Sequence, residues 1–384
     1  MDTAGRTVVK VSTPADILGV LPHRLGFHPT ESIVVVFLHG PRRRDGLVMR
    51  LDLEPPEHDE RVAEDIADRL VHAGAGAAVI ACYTDTDTDT DGDGDGDGDT
   101  DGDRLRLARA PLVDALRRRL SRHGIEIVEA LLVRRGRWWS YQCHDPDCCP
   151  DSGTEIVGAL TPAAQIYAAE TVLGGDVVLP DRAALERSVR PPRNPVADEV
   201  RAQARQRAEE RMARVYAEGG EEAVGRLTLG LLRSTVQAWA EGECDLSPDV
   251  AATVLSGLCL TSVRDEAMTL VLDHEPRVLV PVLTAFARCA DDGAAAPVCS
   301  VLAWVAHAAG DGAVANVAVD RALRCAPGYS LARLILSGLD GMVSPSEIMR
   351  VSAQVRQDLT AGRPASPRGT PTKRTAKRPR RRRT

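Results

Sequence analysis

The chain has 384 residues, 43% of them hydrophobic, so it can bury a core and is long enough for two domains of ordinary size. Its net charge of −7 conceals two opposed segments: residues 84–103 carry ten aspartates and no base, and residues 363–384 carry ten cations and no acid. Without these segments the body is mildly acidic, which excludes a general electrostatic surface for nucleic acid.

The composition also predicts the cellular location of the protein. No apolar stretch reaches the ~18 residues that a membrane-spanning helix needs, and the first residues do not resemble a secretion signal. Arginine outnumbers lysine by 45 to three, as is typical of a GC-rich bacterial genome. Nine cysteines, an odd number, argue against a disulfide framework. We therefore expect a cytoplasmic bacterial protein that does not associate with a membrane.

The first half of the chain predicts strands interleaved with helices. The hydrophobic patterns indicate strands over 8–11, 33–38, 47–53, 77–83, 125–133 and 137–143, and helices over 14–25, 59–73, 111–123 and 161–173. A polar turn over 41–46 joins two of the strands into a hairpin. The sequence therefore predicts an α/β domain with a mixed sheet over 1–178.

The aspartate-rich segment 84–103 interrupts this domain. Alternating aspartates resemble the start of a calcium-binding loop, but glycine stands where such a loop needs its bidentate glutamate. Repulsion among like charges instead favours a disordered surface insertion, with weak binding of divalent ions as the alternative.

The second half predicts helices alone. Residues 179–196 are rich in proline and arginine and indicate a linker, and residues 197–361 follow as an all-α domain. Small and apolar residues near 296–326 have the spacing of a tetratricopeptide-type hairpin, although one copy is visible. This helical domain is our predicted surface for a protein partner.

The chain closes with a basic segment. Proline and like charge over 362–384 predict a disordered tail. Its cations, above all Arg380, Arg381, Arg382 and Arg383, suit non-specific contact with nucleic acid phosphates, and a solvated tail without a dedicated partner is the alternative.

The stretch 136–153 concentrates unusual side chains. It holds two of the four tryptophans and three of the nine cysteines. Cys143, His144, Cys148 and Cys149 offer soft and borderline ligands within seven residues, as expected of part of a tetrahedral zinc site. The adjacent cysteines make such a site awkward, so a thiol redox pair and a simple packed loop stay open as alternatives. We expect the surface around this loop to include Arg137, Trp138, Trp139 and Tyr141.

A catalytic site is the second hypothesis for this chain. The sequence lacks the usual motifs of serine hydrolases, zinc proteases, phosphate-binding loops and kinases. His28, Glu31 and Ser32 are the residues that a hydrolase or transferase acting on a small molecule would use. Such a site requires this segment to meet the loop of Cys143–Cys149. The alternative is that the segment only turns the chain from a helix into a strand.

Three separated stretches resemble one family, the actinobacterial proteins grouped as domain of unknown function 4192. They are Leu25-Gly-Phe-His-Pro-Thr-Glu-Ser, the tryptophan–cysteine stretch at 136–153, and residues 302–330 with Arg321-Ala-Leu and Pro327-Gly-Tyr-Ser. The resemblance implies a similar α/β domain with a helical extension and a cytoplasmic location. Taken together, these observations predict an interaction or regulatory protein with a zinc or thiol site at Cys143–Cys149.

Overall fold

The computed structural model describes residues 13–40, 44–86, 107–143, 145–173 and 177–361. The predicted strand at 8–11, most of the insertion at 84–103, His144 and the tail at 362–384 lie outside the described residues.

The N-terminal half is built on a mixed sheet, as predicted, with six strands among the described residues. The strands are β1 (Ser32–His39), β2 (Arg44–Asp52), β3 (Ala77–Tyr83), β4 (Glu126–Arg134), β5 (Arg137–Ser140) and β6 (Thr154–Glu155). Their spatial order is β2-β1-β3-β4-β5-β6. β3 and β4 are parallel, whereas the other neighbouring pairs of described strands are antiparallel. The predicted hairpin is the pair β1–β2.

Helices surround this sheet and then continue alone. They are α1 (Pro14–Leu25), α2 (Asp59–His72), α3 (Ala110–Arg122), α4 (Pro162–Leu173), α5 (Arg182–Ser188), α6 (Pro195–Ala240), α7 (Pro248–Gly257), α8 (Thr261–Met268), α9 (Pro276–Cys289), α10 (Asp292–Ala308), α11 (Gly312–Cys325), α12 (Ser330–Asp340) and α13 (Pro345–Thr360). α6 is bent where Gly219 and Gly220 leave the helical conformation. None of the described helices combines the length and apolarity needed to cross a membrane.

Both faces of the sheet are buried at β1 and β3, which explains why these two strands are almost continuously apolar. Successive side chains of a strand point to opposite faces. Ile33 and Val35 therefore pack in one cluster with α2 and α3, while Val34 and Val36 pack in another with α1. The second of these clusters also contains core residues of α6 to α13, so the two halves share one hydrophobic core.

The stretch predicted as a linker, 179–196, contains α5. Asp181 caps this helix by accepting a hydrogen bond from the backbone of Ala184 at 2.6 Å. Leu185 and Val189 are buried in the shared core. These two buried apolar side chains and the capping aspartate explain why the stretch forms a short packed helix.

α10 and α11 form the helical pair over the predicted hairpin at 296–326 and pack against each other. Leu302, Ala303, Ala315, Val319 and Ala322 are all buried. The small side chains among them allow the two helices to approach closely.

His307, near the end of α10, makes stability depend on pH. It is buried, and its Nε2 donates a hydrogen bond to the carbonyl of Val343 at 2.7 Å. Burial lowers the pKa of His307 in the folded protein, against a weaker opposing effect of that carbonyl. The unfolded chain therefore binds this proton more readily, and stability is lost as pH falls below about 6.5.

We therefore expect the melting temperature to be lower at pH 5.5 than at pH 7.5, and the substitution His307→Gln to reduce this difference. Thermal unfolding followed by circular dichroism measures it. His72→Gln changes an exposed histidine and serves as the control. Equal pH dependence in wild type and His307→Gln would contradict the assignment.

Candidate metal centre

The loop that carries the cysteines begins where β5 ends. Ser140 Oγ accepts hydrogen bonds from the backbone N–H groups of Gln142 and Cys143, both at 3.1 Å, and donates to Glu129 Oε1 at 2.8 Å. A side chain that binds nearby backbone groups competes with strand pairing. The strand predicted over 137–143 therefore stops at Ser140, and Cys143 lies in the loop instead of on a sheet face.

A tight turn brings the three cysteines together. The carbonyl of Asp145 accepts hydrogen bonds from the N–H groups of Cys148 at 3.1 Å and Cys149 at 2.7 Å. Asp145 Oδ1 also accepts from the N–H of Asp147 at 3.0 Å. As a result, the Sγ atoms of Cys143, Cys148 and Cys149 all lie within 4.8 Å of one another.

The far end of the loop is fastened to β5. Trp139 Nε1 donates to the carbonyl of Asp151 at 2.9 Å. Arg137 donates from Nε to the carbonyl of Ser152 at 2.9 Å and from Nη2 to that of Gly153 at 3.2 Å. These bonds lead the chain back into β6, which pairs with β5. Trp139 and Arg137 of β5 therefore hold the end of the loop in place.

The three thiols differ in acidity. A hydrogen bond from the backbone of Asp145 is the main cause that lowers the pKa of Cys143. The hydrogen bond between Cys148 and Cys143 raises the pKa of Cys148. Burial, followed by hydrogen bonds with the other two thiols, raises the pKa of Cys149 to about 12. Cys143 is thus the most acidic thiol of the three.

Three converging sulfurs of this kind can bind a soft or borderline ion. Thiolates are ligands of zinc, which takes four ligands in structural sites. Cys143, Cys148 and Cys149 supply three of the four. His144, which we predicted as a further ligand, lies outside the described residues.

The aromatic residues around the loop are less exposed than expected. Trp138 and Tyr141, predicted as site surface, are buried on opposite faces of the sheet. Tyr141 donates from its hydroxyl to the carbonyl of Ala108 at 2.6 Å. Trp139 is half-buried and, with Arg137, binds the loop backbone. Of the four predicted surface residues, these last two contact the cysteine loop directly.

The predicted catalytic residues lie just before β1 and at its first residue. Ser32 is buried and donates to the carbonyl of Thr30 at 2.9 Å. The Glu31 carboxylate accepts from Thr84 Oγ1 and from the backbone of Asp85, both at 2.8 Å. His28 is exposed, and its backbone N–H donates to the carbonyl of Leu179 at 3.0 Å.

This segment and the cysteine loop are not brought together through the sheet. β3 and β4 lie between β1, which begins at Ser32, and β5, which leads into the loop. Three strand spacings separate β1 from β5, or about 14 Å. The enzyme hypothesis stays a prediction.

The sequence interpretation missed Asp145, Ser140 and Gly153, which shape the site without acting as metal ligands. Asp145-Pro-Asp is a turn signature, because aspartate side chains bind backbone groups two residues ahead. Ser140 had no comparable signal, since its role depends on Glu129 of the neighbouring strand.

In the helical half, where we predicted a protein partner, a cleft of about 1080 Å³ lies between α6, α7 and the start of α10. That partner stays a prediction, and so does nucleic acid binding by Arg380, Arg381, Arg382 and Arg383, which lie outside the described residues.

A protein-family model matches most of the chain. The model described as domain of unknown function (DUF4192) matches residues 14–346, which include the sheet, the cysteine loop and most of the helical half. No curated protein and no solved structure matches the chain.

Proposed function

The chain belongs to the family of the domain of unknown function DUF4192, and we propose that it is an interaction protein whose loop between β5 and β6 is closed by a zinc ion. The observation that carries this proposal is the convergence of three Sγ atoms to within 4.8 Å of one another. Cys143, Cys148 and Cys149 would bind the ion as thiolates, and its fourth position would take His144, a water molecule or a side chain of a partner.

The geometry before metal binding supports this proposal. Organising a metal site costs free energy when the loop must first be ordered. Here the hydrogen bonds of Asp145 hold Cys148 and Cys149 beside Cys143, and Trp139 holds the end of the loop. The ion therefore meets three ligands that are already close together.

The negative charge of the three thiolates also supports a bound zinc ion. Three thiolates within 4.8 Å of one another would repel. The pKa of Cys149 is already raised, mainly by burial, and that of Cys148 is raised mainly by its hydrogen bond with Cys143. A divalent cation would offset this repulsion, and its binding would release protons. Zinc affinity is therefore expected to fall as the pH is lowered from 8 to 6.

We propose a structural or regulatory role for the ion. It would fix the exposed tip of the loop, residues 145–148, as a rigid surface for another molecule. The described cysteines are all free thiols, which is consistent with a proposed cytoplasmic location.

Elemental analysis tests the zinc centre. Protein purified under reducing conditions without chelators is expected to carry about one zinc per chain. Cys148→Ser is expected to lower zinc affinity by at least tenfold, because it removes one of three thiolate ligands. The control is Cys244→Ser, which changes an exposed cysteine of the connection between α6 and α7. Wild-type protein without zinc, or Cys148→Ser with unchanged affinity, would contradict the proposal.

A further inference from the structure

We propose that Cys143 is a site of oxidation by hydroperoxides and that Cys148 resolves it as a disulfide, so that oxidation expels the zinc ion. The release of zinc rests on the proposed function, whereas the oxidation itself depends only on the arrangement of the thiols.

The backbone decides which cysteines can pair. Disulfides usually need Cα atoms 4.4–6.8 Å apart, whereas adjacent residues joined by a trans peptide have Cα atoms about 3.8 Å apart. No cis peptide bond occurs among the described residues. Cys148 and Cys149 are therefore poor partners for each other, and any low-strain disulfide within this cluster includes Cys143.

Exposure selects between the two remaining partners. Cys148 is exposed, whereas Cys149 is half-buried and packs against the core cluster that contains Trp138. Cys148 can rotate toward Cys143 without leaving a packed environment. Its Sγ is already within 4.8 Å of Cys143 Sγ, and Asp145 holds its backbone on the same side of the turn.

Cys143 has the features of the attacking group. Reactive cysteines are partly exposed and stabilised as thiolates by nearby donors. Cys143 is half-buried, so a small oxidant can reach it, and its Sγ lies within 4.8 Å of the Sγ atoms of both Cys148 and Cys149. Cys82 and Cys299 are instead fully buried, and burial raises the pKa of each to about 12.

The chemistry balances with a hydroperoxide as the oxidant. The Cys143 thiolate attacks the outer peroxide oxygen, so that an S–O bond forms, the O–O bond breaks and an alcohol, or water when the oxidant is hydrogen peroxide, leaves after protonation. The Cys148 thiolate then attacks the Cys143 sulfur, an S–S bond forms, and the hydroxyl group leaves as water. Two thiols thus supply the two electrons that reduce the peroxide. Cys149 is then the one thiolate of the three still able to bind zinc, and the ion dissociates.

Hydrogen peroxide added to the zinc-loaded full-length protein tests this inference. A chromophoric chelator is expected to record the release of one zinc per chain. Mass spectrometry of a non-reduced digest is expected to show a Cys143–Cys148 cross-link, and dithiothreitol with added zinc should restore the starting state. In Cys148→Ser the cross-link is expected to be absent, and a sulfenic acid at Cys143 should react with dimedone. Cys244→Ser should behave as wild type.

The outcomes separate this inference from the zinc centre. If zinc stays bound and Cys143 stays reduced, the inference is wrong while the zinc centre stands. If the purified protein contains no zinc, the proposed function fails, and the digest still decides whether Cys143 and Cys148 form a disulfide. A cross-link from Cys143 to Cys149 would overturn the role of Cys148.

Discussion

Replacing Arg321 with methionine is expected to lower the free energy of unfolding by about 3–5 kcal/mol. Arg321 is 2% exposed and lies in α11. Its guanidinium donates to the carbonyls of Val189, Ala287 and Ala290, the last at 2.6 Å. Methionine fills a similar space but donates no hydrogen bond, so it leaves buried carbonyls with too few donors.

The position of these carbonyls adds to the effect. Val189 follows α5, and Ala287 and Ala290 lie at the end of α9. Carbonyls at a helix C-terminus carry partial negative charge, which a cation stabilises. Arg321 therefore joins the ends of two helices to a third, and we expect the loss to loosen the contact of α5 with the helical half.

Arg324→Met is the matched control. Arg324 lies in the same helix, three residues later, and is exposed. Its replacement is expected to change the free energy of unfolding by no more than about 0.5 kcal/mol. Urea denaturation followed by circular dichroism measures both variants. Equal small losses would contradict the role of Arg321.

Replacing Gly153 with alanine is expected to lower zinc affinity by at least tenfold while leaving the fold intact. Gly153 has a φ of +70°, and an added Cβ would lie 2.5 Å from two ring atoms of Trp139. The ring must move to relieve this overlap. Its hydrogen bond to the carbonyl of Asp151 would then be lost, and the end of the loop would be free to leave the cysteines.

Gly136→Ala separates the steric overlap from the backbone strain. Gly136 has a φ of +75°, but an added Cβ would meet no atom within 4 Å. In both variants an alanine must adopt a left-handed conformation, which costs roughly 1–2 kcal/mol. Only Gly153→Ala also displaces Trp139. Titration of each protein with zinc against a competing chelator measures the affinity. If the two variants lose affinity equally, Trp139 does not hold the site.

Local patterns predicted most of the sheet. The apolar runs at 33–38 and 77–83 became β1 and β3, because a strand buried on both faces is continuously apolar whatever it pairs with. β6 was not predicted, since two residues show no periodicity and are extended only because β5 lies beside them. β5 is shorter than the predicted strand 137–143. It ends at Ser140, whose hydroxyl binds Glu129 of the neighbouring strand β4, and the local pattern does not show this contact.

The cysteine loop was likewise predictable only in part from the sequence. The residue types by themselves indicated a thiol or zinc site at 143–149, because sulfur chemistry belongs to the side chain and its spacing is local. Whether three sulfurs meet depends on hydrogen bonds of Asp145 and on Trp139 and Arg137 holding the end of the loop, which spacing does not reveal.

The sequence by itself determined the order of β1 to β5 and of the helices other than α5, the family and the place of the cysteine loop, since each follows from short-range pattern. The tertiary structure alone decided that α5 is packed, that both halves share a core, and that Arg321 binds carbonyls 31 to 132 residues away. It also decided that β3 and β4 separate Ser32 from the loop. Such contacts depend on chain folding over long distances, so no local pattern of residue types encodes them.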